Sequence, residues 1–212
     1  MTTELTIQRM RRDETDEAAA MSARSFQQYE YFTLCFPEGN ERARFLLEVL
    51  RLEFRTNFSH SHFLLARRAG RNVAVVHLNP PECRRPGNVR YIFNGGLKLF
   101  RTARPRRVHG WLAMDAKATE SCHEYQMMLP GVWYMSLFAV DPAFQGCGIG
   151  SLFLIHIEDY VKSLGGREIV LLTNSEKNYR FYSKRGYKVF DAHPIHYGEN
   201  TMLSWSLRKR LP

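Results

Sequence analysis

The sequence predicts one α/β domain built on a mixed sheet. Strand-like runs and helix-period stripes alternate along all 212 residues, with no repeat, low-complexity tract or linker between them. A strand, a glycine-rich turn and a helix follow one another through residues 132–164. With 44% apolar residues, a chain of this length buries a full core without disulfide or metal staples.

Leu5–Met10 alternates apolar and polar side chains, as an edge strand does. Asp13, with Asp16 three residues on, resembles a helix start, and Ala18–Phe26 continues it. Cys35–Asn40 reads as a loop. A second helix follows, with Phe45, Leu46, Val49, Leu50, Leu52 and Phe54 as its apolar stripe. Phe63–Ala66 and Val73–Leu78 form a hairpin around Ala69-Gly70-Arg71-Asn72. Pro80-Pro81 and Pro86-Gly87 break the chain. Residues 88–125 read as one or two helices, interrupted at Arg104-Pro105 and weak at Gly95-Gly96. Val132–Val140 is a strand closed by Asp141-Pro142. A helix runs from Ile149 to Leu164 and ends at Gly165-Gly166. Glu168–Thr173 is a short buried strand, and Asn174 or Ser175 caps a helix reaching about Lys184. Gly186–Phe190 and Met202–Leu207 are the last strands. The C-terminal one, as an exposed edge, offers a route to a homodimer.

No apolar run approaches the ~20 residues of a membrane span, and the first residues lack an apolar signal core. Cys35, Cys83, Cys122 and Cys147 are widely spaced without CxxC, which suits free thiols in a reducing cytoplasm. Eight histidines without ligand spacing give no reason to invoke a metal. The net charge of +9 is local. Residues 67–107 hold Arg67, Arg68, Arg71, Arg84, Arg85, Arg90, Lys98, Arg101, Arg104, Arg106 and Arg107 against the single acid Glu82. Such a block fits nucleic acid, an anionic partner, a phosphorylated cofactor, or simply a solvated surface.

The informative unit is Gln145-Gly146-Cys147-Gly148-Ile149-Gly150 between a strand and a helix. Small residues admit a ligand close to the backbone, and a helix start offers unpaired N–H groups to a phosphate. A P-loop would need a lysine before Ser151. A dinucleotide fingerprint would need glycine at Ser151, with Glu168 as its ribose acid. A tight turn with no ligand is the plainer alternative.

Gln145-x-x-Gly148-x-Gly150 resembles the Gln/Arg-x-x-Gly-x-Gly/Ala motif of the GNAT superfamily of acyl-CoA-dependent N-acetyltransferases. Tyr134–Pro142 is similar to that family's central strand and its exit. Asn178–Tyr187 is similar to its Asn-x-x-x-Tyr-x-x-x-Gly-Phe/Tyr element. The resemblance is strong over residues 132–190, the cofactor-binding core, and leaves 1–130 mainly to the acceptor side. Trp133-Tyr134-Met135, Thr173-Asn174-Ser175 and the helical insert look most like the puromycin N-acetyltransferase branch. Leu172 and Cys147 depart from that branch, where Glu and Lys are frequent. The resemblance implies a central, mixed and mostly antiparallel sheet of about seven strands flanked by helices.

It also implies direct transfer of an acetyl group from acetyl-CoA to a primary amine through a tetrahedral intermediate. The pantetheine arm would pair with the strand near Phe138 and Val140. The pyrophosphate would sit on the turn formed by Gln145, Gly146, Gly148, Ile149, Gly150 and Ser151. Asn178 would fix the lower arm, and Tyr182 would protonate the leaving thiolate. No base stands out: His123, Glu124, Glu120, Tyr134, Ser136, His109, His77 and a water chain are all open. Cys147 lacks a histidine partner for a covalent route. Phe54, Phe58, Tyr91, Phe93, Phe100 and Trp111 would line a small-molecule pocket, or serve only as helix core. A protein or peptide amine acceptor is the second reading. A non-catalytic basic binding module is the third, although no RNA-binding signature supports nucleic acid as a partner.

Overall fold

The strands are Leu5–Arg9 (β1), His62–Arg68 (β2), Arg71–Asn79 (β3), Val132–Val140 (β4), Glu168–Thr173 (β5), Lys188–Tyr197 (β6) and Asn200–Arg210 (β7). They form one sheet in the order β1-β2-β3-β4-β5-β7-β6, antiparallel except for the β4–β5 pair. This computed structural model describes residues 5–83 and 86–212, without the side chain of Asn88. Arg84 and Arg85 of the basic block lie outside the described residues.

Alternation along the strands gives the sheet two apolar faces. Leu64, Val76, Trp133 and Met135 join Phe153, Ile157 and Tyr182, from the helices Ile149–Ser163 (α7) and Glu176–Ser183 (α8). The opposite face, with Phe63, Leu65, Val75, Leu137 and Ala139, is covered by Thr15–Phe26 (α1) and Gly39–Asn57 (α3). Between α1 and α3 lies a short helix, Glu30–Cys35 (α2), which the sequence did not announce; the predicted loop follows it, shortened to residues 36–38. The insert before β4 comprises Asn88–Phe93 (α4), Leu99–Thr102 (α5) and Pro105–Met128 (α6). Its interruptions fall where the sequence placed them. Gly95 adopts φ 100°, a left-handed geometry that favours glycine. Pro105 forces extended backbone on Arg104 and then opens α6.

That second break is pinned by charge. Glu41, buried at the start of α3, accepts from the Arg104 amide at 2.7 Å and pairs with the Arg107 guanidinium. Glu38 accepts from Arg107 at 3.1 Å. Arg67 likewise pairs with buried Glu14 and with Asn72 at 2.8 Å. Arg67, Arg104 and Arg107 of the basic block therefore hold elements together. The block is not one surface either. Arg71 lies 5.9 Å above the Phe144 ring, beyond the end of β4, whereas Arg104 and Arg107 sit at the foot of α6.

Several expectations are corrected. The last strand, β7, is interior, between β5 and β6, so the edges are β1 and β6. Pro194 sits on β6, where its missing N–H blunts an edge. Phe54 and Trp111 are buried in the core, and Phe93 is 86% exposed, so these rings do not line one pocket. The glycine pair after α7 carries a packing role as well as a stop signal. A Cβ on Gly166 would come within 2.7 Å of the Trp133 indole and 2.3 Å of Val161.

Burial pushes the thiols of Cys35 and Cys122 up to about 12. In the unfolded chain they ionise near 8.5. Above that pH the unfolded state loses protons the native state keeps, so stability falls as pH rises. The midpoint of thermal unfolding, followed under reducing conditions, is expected to drop progressively between pH 8 and 11. A flat profile would contradict this burial.

Candidate active site

The site begins where β4 and β5 part. They pair through Val132↔Glu168, Trp133↔Ile169 and Tyr134↔Val170, and no further. Beyond Tyr134, β4 is bonded only to β3 and β5 only to β7. The Asp141 amide donates to Val73 of β3 at 2.8 Å. Peptide direction alternates along a strand, so the peptide groups of Val140 and Phe138 face the opposite way, into the gap. These are the two positions the sequence motif singled out.

The α1–α2 corner holds both lips of the gap. Ser25 donates to the Val140 carbonyl at 2.8 Å, and Arg24 pairs with Asp141 at 2.6 Å. Burial alone would lift the Asp141 carboxyl, but hydrogen bonds from Arg24 and the Ala143 amide hold it below its ordinary range. On the other lip, the Tyr29 hydroxyl accepts from the Asn174 amide at 2.8 Å and lies 3.2 Å from Thr173 Oγ1. Burial raises the Tyr29 phenol, partly offset by these bonds and by Asn178, which faces it. Gln145 adds a second bond, 3.1 Å, to the Val140 carbonyl. That carbonyl is therefore occupied, leaving the Val140 amide and both peptide groups of Phe138 toward the gap.

At the open end lies the glycine turn. Gly146 and Gly148 both adopt φ 79°, and a Cβ at either would meet nothing within 4 Å. Their glycines answer to backbone conformation, and the space beside them is open. The amides of Gly146, Gly148, Ile149 and Gly150 donate to no backbone acceptor among the described residues. Ser151 differs from expectation. Its amide donates to the Gly148 carbonyl at 3.0 Å, so it is not free for a phosphate. Its hydroxyl accepts instead from Arg185. Ile149 turns its side chain into the core and can offer only its amide.

Arg185 lies 3.7 Å above the Phe181 ring and donates to the Phe181 carbonyl at 2.7 Å. With Lys177, Arg180 and Lys184 it makes an open, mainly cationic groove beside the turn, with Glu176 on its rim. Arg185 was missed in the sequence because nothing local says that the residue after α8 folds back onto Ser151. Tyr29 was missed because its partners are about 145 residues away, at Thr173 and Asn174.

On the remaining wall, Asn178 and Tyr182 are one helical turn apart on α8. Tyr182 is buried beside Phe138, ring centroids 6.5 Å apart. Its hydroxyl has no protein partner among the described residues. Burial, with Tyr29 adding to it, pushes the phenol far above its ordinary value and keeps it protonated.

The expected base candidates scatter. Glu120 is exposed and paired with Lys117, Glu124 is exposed, and His109 leans on Phe100. His123 meets the Tyr134 ring edge-on at 4.9 Å, and buried His77 bonds Ser136 at 2.8 Å. Glu168, the would-be ribose acid, sits buried at the start of β5 near Tyr125 and Arg208. The antiparallel sheet also excludes a dinucleotide fold.

A match to the acetyltransferase (GNAT) family spans residues 26–187, and the chain belongs to that family. Solved structures share its fold. An N-acetyltransferase from Staphylococcus aureus Mu50 has a TM-score of 0.60 at 12% identity, covering 99% of this chain and 100% of that one. The ribosomal-protein-S18-alanine N-acetyltransferase from Escherichia coli gives 0.60 at 11%, covering 98% and 94%. An agmatine N-acetyltransferase gives 0.61 at 17%, covering 98% and 100%. No curated protein matches the sequence.

The two glycine types predict opposite stability effects. Gly148→Ala places a side chain at positive φ and is expected to cost about 1–2 kcal/mol. Gly150 lies inside α7, and its added Cβ would sit 3.6–3.8 Å from Phe181, Val140 and Phe138, which is ordinary contact. Gly150→Ala is therefore expected to leave stability unchanged or raise it by up to about 1 kcal/mol. Urea unfolding of both variants checks the pair.

Proposed function

We propose that this acetyltransferase moves an acetyl group from acetyl-CoA to the primary amine of a small molecule, by direct attack. The observation that carries the reading is the β4–β5 gap, with the Phe138 peptide groups and the Val140 amide left outside the ladder along one lip. A pantetheine arm carries amides and can complete the missing ladder there. The amides of Gly146, Gly148, Ile149 and Gly150 suit a pyrophosphate at the start of α7, and Lys177, Arg180, Lys184 and Arg185 suit the remaining phosphate. Asn178 is placed for the lower arm.

Collapse of a tetrahedral intermediate expels a thiolate, which leaves poorly unless it receives a proton or a hydrogen bond. Tyr182 supports that role: it is protonated, lies beside Phe138, and commits its hydroxyl to no other group among the described residues. The reaction needs no metal in this reading.

Helix α6 packs across β4, β5, β7 and β6 on the face opposite α7 and α8, with α4 and α5 against α3, and a covered face of this kind favours a small acceptor over an open peptide groove. Under α6, Asp191 on β6 accepts from Ser121 and lies 2.7 Å from His193 Nδ1. Those hydrogen bonds, Ser121's first, hold its carboxyl below the ordinary range against burial. The hydroxyl of Ser204, the direct β7 partner of His193, is buried without a partner among the described residues, as is His193 Nε2. A carboxylate beside unfilled polar groups suits a cationic, hydrogen-bonding acceptor. Trp133-Tyr134-Met135 and the insert keep the puromycin N-acetyltransferase-like branch as the finer assignment. Among the described residues no helix is long and apolar enough to cross a membrane. A cytoplasmic site of action is part of the proposal.

Saturating acetyl-CoA at about 100 times its Kd is expected to stabilise the chain by about 2.7 kcal/mol. That corresponds to a rise in melting temperature of roughly 5–10 °C at this size. No shift at millimolar ligand would overturn the reading. Tyr182→Phe removes one hydroxyl with no protein partner, so folding should hold. Turnover in a thiol-release assay is expected to fall about 100-fold with little change in the KM for acetyl-CoA. An unchanged rate would take Tyr182 out of the acid role.

A further inference from the structure

An alkylamine acceptor arrives as an ammonium ion and must lose a proton before it attacks. The structure holds a path for that proton at the closed end of the gap. Leu78 pairs with Met135 and His77 with Leu137, so Ser136 is an extra residue in β4, a β-bulge. It lies two residues past Tyr134, the last β4 residue bonded to β5. Bulges re-aim side chains, and this one directs Ser136 to the acceptor-side face together with Leu137. Ser136 is partly exposed.

Ser136 Oγ is 2.8 Å from His77 Nδ1. His77 is fully buried and stacked on Phe63, centroids 4.2 Å apart and planes within 14°, so its ring orientation is fixed. Glu53, reaching in from α3, places Oε1 3.3 Å from the same Nδ1. Its Oε2 accepts from the Tyr91 hydroxyl at 3.0 Å. The Glu53 side chain is 31% exposed, so the series of groups runs from the apex of the gap to water. His77 Nε2 is buried without a partner, so the ring's only hydrogen-bonding edge faces Ser136 and Glu53.

We propose that Ser136, His77 and Glu53 form a proton relay that converts the acceptor ammonium to the free amine. The inference rests on the transfer reading above. With the resting ring protonated on Nε2 and its lone pair on Nδ1, the ammonium proton passes to Ser136 Oγ as the Ser136 hydroxyl proton passes to His77 Nδ1. The N–H bond of the acceptor breaks, an O–H bond is exchanged at Ser136, and a new N–H bond forms on His77. Ser136 ends unchanged, and the amine has its lone pair. The Glu53 carboxylate, 3.3 Å from Nδ1, stabilises the imidazolium, then takes the Nδ1 proton onto Oε1 and releases it to water at its exposed edge, which returns His77 to its neutral form. Ser136 touches the acceptor. His77 and Glu53 are positioning residues that act through it.

The relay matters only for an acceptor that is protonated at the start. The test therefore compares two acceptors in one assay: an alkylamine that the wild-type chain acetylates, and its analogue fluorinated next to the amine carbon, which is neutral at the assay pH. Ser136→Ala and Glu53→Gln are expected to lower kcat for the alkylamine about 100-fold, and for the fluorinated amine less than about threefold. The KM for acetyl-CoA should not change. The ratio between acceptors is internal to each preparation, so partial misfolding of a variant cancels. Equal losses on both amines, or none, overturn the relay while leaving the transfer reading intact. No thiol release by the wild-type chain with any amine overturns the transfer reading, and the relay with it.

Discussion

Two parallel strands that share three residue pairs and then separate leave a row of peptide groups without partners. Inside a protein such groups cost about 1–3 kcal/mol each if nothing answers them. The divergence of β4 from β5 is therefore a constraint that the surrounding structure must maintain. The α1–α2 corner does so from one side. Ser25 and Arg24 hold the end of β4, and Tyr29 holds the end of β5. Without that corner, the end of β5 would be free to close against β4 and complete the ladder. The opening is kept by three polar side chains from a part of the chain with no sequence motif.

The arrangement around the gap follows from which face each element covers. Helices α7 and α8 pack on one face and bring the glycine turn, Asn178 and Tyr182 to it. Helices α1, α3 and α6 pack on the other and bring Glu53 and the polar groups under α6. The glycine-turn amides thus lie on one side of the gap and Ser136, His77 and Glu53 on the other. The bulge at Ser136 sits where the two faces communicate.

Charge is distributed for two purposes. Glu14, Glu38 and Glu41 hold Arg67, Arg104 and Arg107 in place, which ties the start of α1 to β2 and α3 to α6. The cations beside the glycine turn come from α8 and its end. Lys177, Arg180, Lys184 and Arg185 all lie outside the 67–107 block. The bulk excess of positive charge and the cationic groove beside the turn are thus separate features of the same chain.

The sequence by itself determined the strands from β2 to β5, the glycine turn, the α7 and α8 helices and the breaks in the insert. Each depends on local chemistry: alternation, glycine at positive φ, proline at a helix start. The family resemblance carried by its motifs named Phe138, Val140, Gly146, Gly148, Asn178 and Tyr182 as one set, and the fold gathers them around the β4–β5 gap. The sequence failed where a role depends on a distant partner. Cys35 closes a short helix, since aromatic packing of Tyr31 and Phe32 outweighs the turn signals after it. The amide of Ser151 is taken by Gly148, which only helix geometry reveals. Tyr29 and Arg185 gain their places from residues about 145 and 34 positions away, respectively. The tertiary structure alone decided that Ser136, His77 and Glu53 meet, because a one-residue bulge changes which face a side chain occupies, and no local pattern in the sequence marks it.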